Sequence, residues 1–349
     1  MSDGLDEFRV DEAEKLSGIR RERDRWREHA RRAEDENATL KQVLGVVGKI
    51  EALHPDPPKW LTPASPKKHN ATLMKMLSDL HLDETIRPSE VSGVNAYNRE
   101  IATGRLERDA ENTVKLARHY LSGVTWDGMV LMLGGDLVSG DIHEELSQTN
   151  ADTILGTMLY WSEQLSAYVA RMAEEFGKVH VVSVPGNHGR MSRKPRAKLR
   201  AQTNFDWLLS HLVQRSVKAK GVTWQIPDAA DVTFKVYDRW HLLTHGDQAH
   251  GGNGIGGIFP PIMRLRARKL QHYASIGQGF DVVWMGHWHQ YLPTPSLVVN
   301  GSLKGFDEFA MLMGFSSEPP IQALAVATPE RGLTFTAPVF SMDRLKEGW

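Results

Sequence analysis

Residues 129–141 read MVLMLGGDLVSGD. Five apolar residues run unbroken from Met129 to Leu133, stop at Gly134-Gly135, and are followed by a carboxylate, Asp136. An apolar run this short, bounded by glycines, reads as a β-strand buried on both faces. The glycines let the chain turn sharply and let its backbone approach other groups closely. Asp136 is therefore expected just past the carboxyl end of a central strand, where open α/β sheets place their ligands. A Gly-Gly-Asp triplet is common in turns. It gains meaning here because four other strand-like runs also end in side chains that bind metals.

Before this stretch, residues 71–77 form a strand candidate ending in Ser78-Asp79-Leu80-His81. After it, the β-branched run 179–184 ends in Pro185-Gly186-Asn187-His188-Gly189. Residues 232–237 and 241–244 read as a hairpin around Asp238-Arg239, ending at His245-Gly246-Asp247. Residues 281–285 end in Gly286-His287-Trp288-His289. Helical patterns alternate with these runs at 107–122, 150–176 and 204–218, and a basic helix at 260–275 follows a glycine-rich loop at 250–257. Further strands are expected at 297–299, 321–327 and 333–336. This alternation gives an α/β fold. His241 and His250 compete with His245 for the fourth position. His245 is chosen because an apolar strand precedes it and Gly246 follows. Asp141 and His143 read as ordinary loop residues, with a role in orienting ligands as the alternative.

In order and spacing, these five strand ends resemble the calcineurin-like metallophosphoesterase family: Asp-x-His, Gly-Asp, Gly-Asn-His, a lone His, and Gly-His-x-His. The resemblance covers residues 71–302. It implies two packed mixed β-sheets flanked by helices, a four-layer sandwich. It also implies two divalent metal ions. Asp79, His81 and His289 would hold the first, Asn187, His245 and His287 the second, and Asp136 would bridge both. Imidazole nitrogen and carboxylate oxygen suit manganese first, with iron, zinc or magnesium as alternatives. Two cations ~3.5–4 Å apart can activate a shared water and clamp the phosphoryl oxygens. The resemblance makes His188 the catalytic residue, facing the phosphate and protonating the leaving oxygen. In one place the sequence departs from the family pattern: Gly189 stands where an acid usually follows the Gly-Asn-His triplet. That acid supports the histidine, so the resemblance does not say how His188 is oriented.

The chain after Gly189 is basic, with Arg190, Arg193, Lys194, Arg196, Lys198 and Arg200. A second basic run, Arg264, Arg266, Arg268 and Lys269, lies on the helix after the glycine-rich loop. Cations beside a phosphoesterase centre suit a polyanionic substrate, and solvated surface charge is the alternative. Arg190, Arg193, Lys194 and Arg196 are taken as substrate-binding, with DNA as the expected substrate and a nuclease as the expected enzyme. The alternatives are a small-molecule phosphodiesterase, a phosphoprotein phosphatase, or a scaffold protein that has lost catalysis.

The remaining features set the context. The chain has 349 residues, 41% of them hydrophobic, which is enough for a substantial core. Its net charge of −1 gives no global field toward nucleic acid or membrane, so local patches must carry that argument. With no cysteine, disulfides, zinc–thiolate sites and thiol nucleophiles are excluded. No apolar run approaches the ~20 residues needed to span a bilayer. The acidic start lacks an apolar signal segment. A cytoplasmic protein with no membrane partner is expected.

Residues 1–52 are expected to form a helical segment. Over residues 8–50 a heptad places Leu16, Arg23, Ala30, Asn37 and Leu44 at one seam position and Ile19, Trp26, Ala33, Leu40 and Val47 at the other, with Arg23 weakening the N-terminal half. Asn37 with Leu40 is a polar seam pair of the kind that fixes register in parallel dimers, so a homo-oligomeric coiled coil is expected. Seven arginines lie in residues 20–32. Because Glu22, Asp24 and Glu28 are interleaved with them, they read as a solvated face, with nucleic-acid contact as the alternative. Residues 53–70 hold five prolines and read as a linker. The catalytic domain is expected over 71–349.

Overall fold

The computed structural model describes residues 57–63, 70–251 and 257–348, with scattered positions between 20 and 34. The chain divides into two units, Met1–Glu51 and Ala52–Trp349. In the first, residues 22–28 are helical and exposed. The coiled-coil expectation, including seam positions Asn37 and Leu40, falls outside the described residues.

The second unit is built on two mixed sheets. The six-stranded sheet runs in the order β11-β10-β1-β2-β3-β4. Its strands are β1 (Asn70–Leu77), β2 (Thr125–Leu133), β3 (Val179–Ser183), β4 (Val222–Gln225), β10 (Ile321–Thr328) and β11 (Gly332–Phe340). The five-stranded sheet runs in the order β5-β6-β7-β9-β8. It holds β5 (Asp231–Val236), β6 (Arg239–Thr244), β7 (Val282–Met285), β8 (Leu292–Thr294) and β9 (Leu297–Val299). Period-2 alternation sends one face of each strand between the sheets. There Met74, Met76, Val130, Met132 and Val182 of the larger sheet share a core with Phe234, Val236, Leu243, Trp284 and Val298 of the smaller.

Helices close the outer faces. They are α1 (Arg99–Lys115), α2 (Glu144–Thr149), α3 (Ile154–Phe176), α4 (Phe205–Ser216), α5 (Phe259–Ser275), α6 (Glu308–Met313) and α7 (Arg344–Glu347). α3 packs on β2 and β3, flanked by α1 and α4. α5 lays Ile262 and Leu265 on Val283, Met285 and Leu297 of the smaller sheet. The result is the four-layer α/β sandwich the ligand order implied. Among the described residues, no helix is long and apolar enough to cross a membrane.

Three local features differ from the sequence reading. α1 begins at Arg99 rather than near 107, because the Asn98 side chain caps it by accepting the Ile101 N–H. β4 and β8 were not anticipated. Both are edge strands of three or four residues, too short to show a period, and β8 tolerates Pro293 because an edge strand can forgo a ladder bond. The described part of the Pro-rich stretch docks on this unit. Leu61 is buried in the inter-sheet core, its carbonyl accepts the Tyr237 N–H at 2.7 Å, and Trp60 packs alongside.

β1, β2 and β3 are mutually parallel, as are β6 and β7. Each sheet therefore delivers its strand-end loops to one edge. Backbone bonds stitch those loops together: Asp79 N–H to Gly135 O at 3.0 Å in one sheet, and Gly286 N–H to His245 O at 2.9 Å in the other.

Candidate metal centre

The two sets of loops meet across the sandwich. The His287 N–H donates to Asp79 Oδ1 at 2.8 Å, and His245 Nδ1 lies 2.9 Å from Gly134 O. The His188 N–H donates to Asp136 Oδ1 at 2.7 Å. A Cβ on Gly186 would lie 2.1 Å from Asp136 Oδ1, so only glycine lets the loop after β3 close over that carboxylate.

Two groups of ligand atoms result. Asp79, His81 and His289 form one, and Asp136, His245 and His287 the other. In the first, the His81 and His289 Nε2 atoms are 3.2 Å apart, with His289 Nε2 3.4 Å from Asp79 Oδ1. In the second, His245 Nε2 lies 3.0 Å from Asp136 Oδ2 and 3.2 Å from Asn187 Oδ1. All seven ligands read from the sequence are thus brought together. The structure adds a third group, in which His81, Asp136 and His188 converge. His188 was read as a proton donor only, yet its position also permits ligation. The competing His241 is a core residue, stacked on Phe234 and accepting the Trp284 Nε1–H at 3.1 Å.

Backbone strain concentrates here. Among the described residues nine non-glycines have positive φ, and five of them are Asp79, His81, Asp136, His287 and His289. Such conformations cost about 1–3 kcal/mol each and persist where the surroundings impose them. They cluster on five of the seven candidate ligand positions.

The electrostatics follow from burial around two carboxylates. Burial alone would raise Asp79 and Asp136, but the facing histidines outweigh it and hold both below the usual carboxylate range. Burial would lower His245, yet the Asp136 carboxylate reverses this and lifts it to about 10. Burial pushes His287 down to about 4 and His188 to about 3, and it also lowers His81. The protein thus holds an anionic pocket ringed by mostly neutral imidazoles, with one proton kept on His245.

Several supporting residues were missed or left open in the sequence. Asn300 donates to Ser78 Oγ at 2.8 Å, Ser78 Oγ donates to Asp79 Oδ2 at 2.5 Å, and Ser302 Oγ donates to the Asp79 carbonyl at 2.9 Å. The turn after β9 thereby orients Asp79. Glu84 Oε2 lies 3.1 Å from His81 Nδ1, close enough for attraction but misaligned for a hydrogen bond, and Lys304 bonds the other Glu84 oxygen at 2.8 Å. The orientation of His188 comes from its Nδ1, 3.0 Å from the Ser139 carbonyl. Gly189 has no room for an acid, because a Cβ there would lie 2.5 Å from Asn204 Oδ1 and 2.9 Å from Asp206 Cγ. His143 is exposed, with its ring 5.5 Å from that of His188.

The basic residues divide. Arg193, Lys194 and Arg196 are exposed. The Arg190 guanidinium donates to the carbonyls of Asn187, Ser192 and Arg193 at 3.0–3.1 Å, so it folds the loop it was expected to offer to substrate. Arg200 is bidentate to Asp247 at 2.7 Å. In the second run, Arg268 bonds the Gln248 carbonyl and Lys269 pairs with Asp231.

The donor set fits divalent cations. It offers only carboxylate oxygen, amide oxygen and imidazole nitrogen, hard-to-borderline ligands. The facing Nε2 atoms of His81 and His289 can share only one proton, whereas a cation satisfies both lone pairs and the Asp79 oxygen together.

No family model and no curated protein matches the chain. Among solved structures it is similar to vacuolar protein sorting 29 from Cryptosporidium parvum, with 13% identity over 73% of this chain and 85% of that one and a TM-score of 0.28. It is also similar to a conserved uncharacterized protein, a predicted phosphoesterase, from Streptococcus pneumoniae (10% identity, 77% of this chain, 97% of that one, TM-score 0.28). A third is the sulfate thiohydrolase SoxB from Thermus thermophilus (12% identity, 79% of this chain, 58% of that one, TM-score 0.30). Likenesses this slight carry no argument, and the functional reading rests on the site's own geometry.

Proposed function

We propose that this chain, which has the fold and the ordered ligand set of the calcineurin-like metallophosphoesterases, is a metal-dependent phosphohydrolase that cleaves phosphodiester bonds in nucleic acid, with DNA as its first substrate. The observation that carries the hydrolase reading is the convergence of seven ligands from five strand ends into two adjoining groups that share an edge. Two divalent ions, manganese first, would supply the positive charge that polarises a phosphoryl group and acidifies a water at neutral pH.

The chain's own residues do the rest. Asp136, grouped with His245 and His287 and also within reach of His81, would be the ligand the two ions share. The Ser139 carbonyl holds His188 by Nδ1, leaving Nε2 as the ring nitrogen available to the site. A neutral ring bonded this way carries its proton on Nδ1. Protonation of a leaving oxygen from Nε2 therefore needs a second proton on the ring, which the negative charge of a bound phosphate favours.

The nucleic-acid part rests on the exposed Arg193, Lys194 and Arg196, which follow His188 within a few residues. Contacts from such residues release counterions, so binding should weaken steeply with salt. The test is hydrolysis of labelled DNA, labelled RNA and a small ester with Mn²⁺ across a salt series. It compares wild type with the triple variant Arg193→Ala, Lys194→Ala, Arg196→Ala. The variant should lower the log–log salt slope by roughly 0.7–0.9 per lost contact and leave the small ester unaffected. A wild type that cleaves small diesters but no polymer would leave the small-molecule phosphodiesterase standing. One observation favours that second reading: Arg190, Arg200, Arg268 and Lys269 are already engaged within the protein. The heptad of residues 8–50 further supports a parallel homodimer. Light scattering giving equal mass with and without residues 1–52 would refute it.

A further inference from the structure

One buried acid has no place in the ligand set. Asp206, in the first turn of α4, is fully buried. Its Oδ2 accepts the N–H groups of Asp136 and Gly186, both at 2.9 Å. Its Oδ1 accepts those of Leu137 at 3.1 Å and Val138 at 3.3 Å. The donors belong to two different loops. One follows β2 and carries the bridging Asp136, and the other follows β3 and carries Asn187 immediately after Gly186.

This carboxylate is costly where it stands. Burial disfavours its charge, and the Asp136 carboxylate nearby opposes it further. No lysine or arginine pairs with it among the described residues; backbone amides are what hold it. A neutral side chain could cap some of them at lower cost, but no single neutral group accepts from four amides in two loops. The bond to Asp136 also reaches a residue at φ 49°, so it helps hold the strained bridging position.

The start of α4 completes the clamp. Asn204 Oδ1 accepts the Asp206 N–H at 2.8 Å, and Asn204 Nδ2 donates to the Gly186 carbonyl at 2.8 Å. The Phe205 N–H donates to the Gly189 carbonyl at 2.6 Å. Asn187 and His188 are thus held from both sides by one helix end. Gly189 permits this approach, since a Cβ there would collide with Asn204 and Asp206.

We infer that Asp206 is a positioning residue that locks the Asp136 loop to the Asn187 loop and so sets the geometry of the Asp136–Asn187–His245–His287 group. The inference rests on the phosphohydrolase reading for what that group binds, but not for the lock itself. Through its backbone bonds Asp206 acts on Asp136, which both groups would share, and on the loop of Asn187, which belongs to the second group alone, whereas Asp79 is held by Ser78 and Ser302.

The test uses the full chain carrying Asp206→Asn, with Asn204→Ala as a second variant that removes the Gly186 carbonyl anchor and the pin on the Asp206 amide. Calorimetry with Mn²⁺ on metal-stripped protein should show the two ions weakened unequally. The ion of the Asn187 group should weaken by about 10–100-fold, the usual scale for residues that orient ligands, and the ion of the Asp79 group, which shares only Asp136, by less. Backbone hydrogen exchange, read without metal, should show protection lost together at residues 136–138 and at Gly186 while Gly286 and Asn300, whose amides bond carbonyls of the smaller sheet's strand ends, keep theirs. A fold defect would instead weaken both ions alike and expose all the loops, Gly286 and Asn300 included. Wild-type affinity for both ions in Asp206→Asn, or exchange unchanged in both loops, would overturn the inference. If wild type bound no Mn²⁺, the phosphohydrolase reading would fall, and the exchange measurement would still decide the lock. Should Asp206→Asn not fold, Asp206→Glu, which moves the carboxylate oxygens, overturns the inference if exchange at residues 136–138 and Gly186 is unchanged.

Discussion

His245 Nε2 stands 3.0 Å from Asp136 Oδ2 in a site where both side chains are buried. The pairing raises the affinity of His245 for a proton, to about 10, while burial keeps His287 and His81 low. The proton on His245 occupies the position where a cation would bind, so metal and proton compete there.

That competition predicts a proton count. Ligand histidines must be neutral to bind metal. At pH 7 the uptake of Mn²⁺ into the Asp136 group should release about one proton, taken from His245. The proton balance comes from calorimetry in buffers of different ionisation enthalpy. Metal uptake with no proton released at pH 7 would contradict the assignment of His245.

His188 is the residue whose role is least determined by position, because it converges with His81 and Asp136 as well as facing the site. If it serves the leaving group, His188→Ala should keep the metal content and lose ~10²–10⁴ in turnover. The loss should shrink for an ester whose leaving group is p-nitrophenolate, which needs no proton. Loss of one metal ion in the variant would make His188 a ligand instead.

Restoring an acid at position 189 should harm the protein. The new Cβ would meet Asn204 Oδ1 at 2.5 Å and Asp206 Cγ at 2.9 Å, and the new charge would face a buried carboxylate. Gly189→Asp is expected to cost about 1–3 kcal/mol from overpacking alone. Denaturant unfolding checks this. A variant as stable as wild type would show that the start of α4 is not packed as described.

Acid should weaken the fold before it protonates the carboxylates. Burial holds His241 at about 3 and His180 at about 4, against an ordinary value of 6.5. Because their folded values are lowered, the unfolded chain takes up these protons first as pH falls. Stability is therefore intact above about 6.5 and declines below it, by about 1.4 kcal/mol per pH unit for each such group. His241→Gln should remove one group's share of that slope between pH 6.5 and 4. Unfolding free energies measured across that range would contradict the account if both proteins gave the same slope.

Sequence and structure agree most where the signal is local. Apolar runs ending in Asp79, Asp136, Asn187, His245 and His287 could be read because a strand and the loop after it are contiguous. What could not be read depends on distant packing. Lys75 interrupts an apolar strand, and only the fold shows it fully buried and paired with Asp109 of α1 at 2.8 Å. Asp206 resembles any acid in a helix's first turn until α4 is seen against the loops after β2 and β3. The charge of Arg190 is legible in the sequence, whereas the carbonyls that engage it are not. The turn at Asn300 and Ser302 faces the site because β9 is parallel to β7, a pairing no periodicity reveals.

One carboxylate, Asp136, would join the two metal groups. Elemental analysis of wild type and Asp136→Ala, each purified, exposed to excess Mn²⁺ and desalted, tests it most directly. Circular dichroism alongside would establish that the variant is folded. The account predicts about two ions per chain in wild type, on the two-metal arrangement. It predicts almost none, with activity lost, in a folded Asp136→Ala. About two ions per chain retained by the folded variant would contradict it.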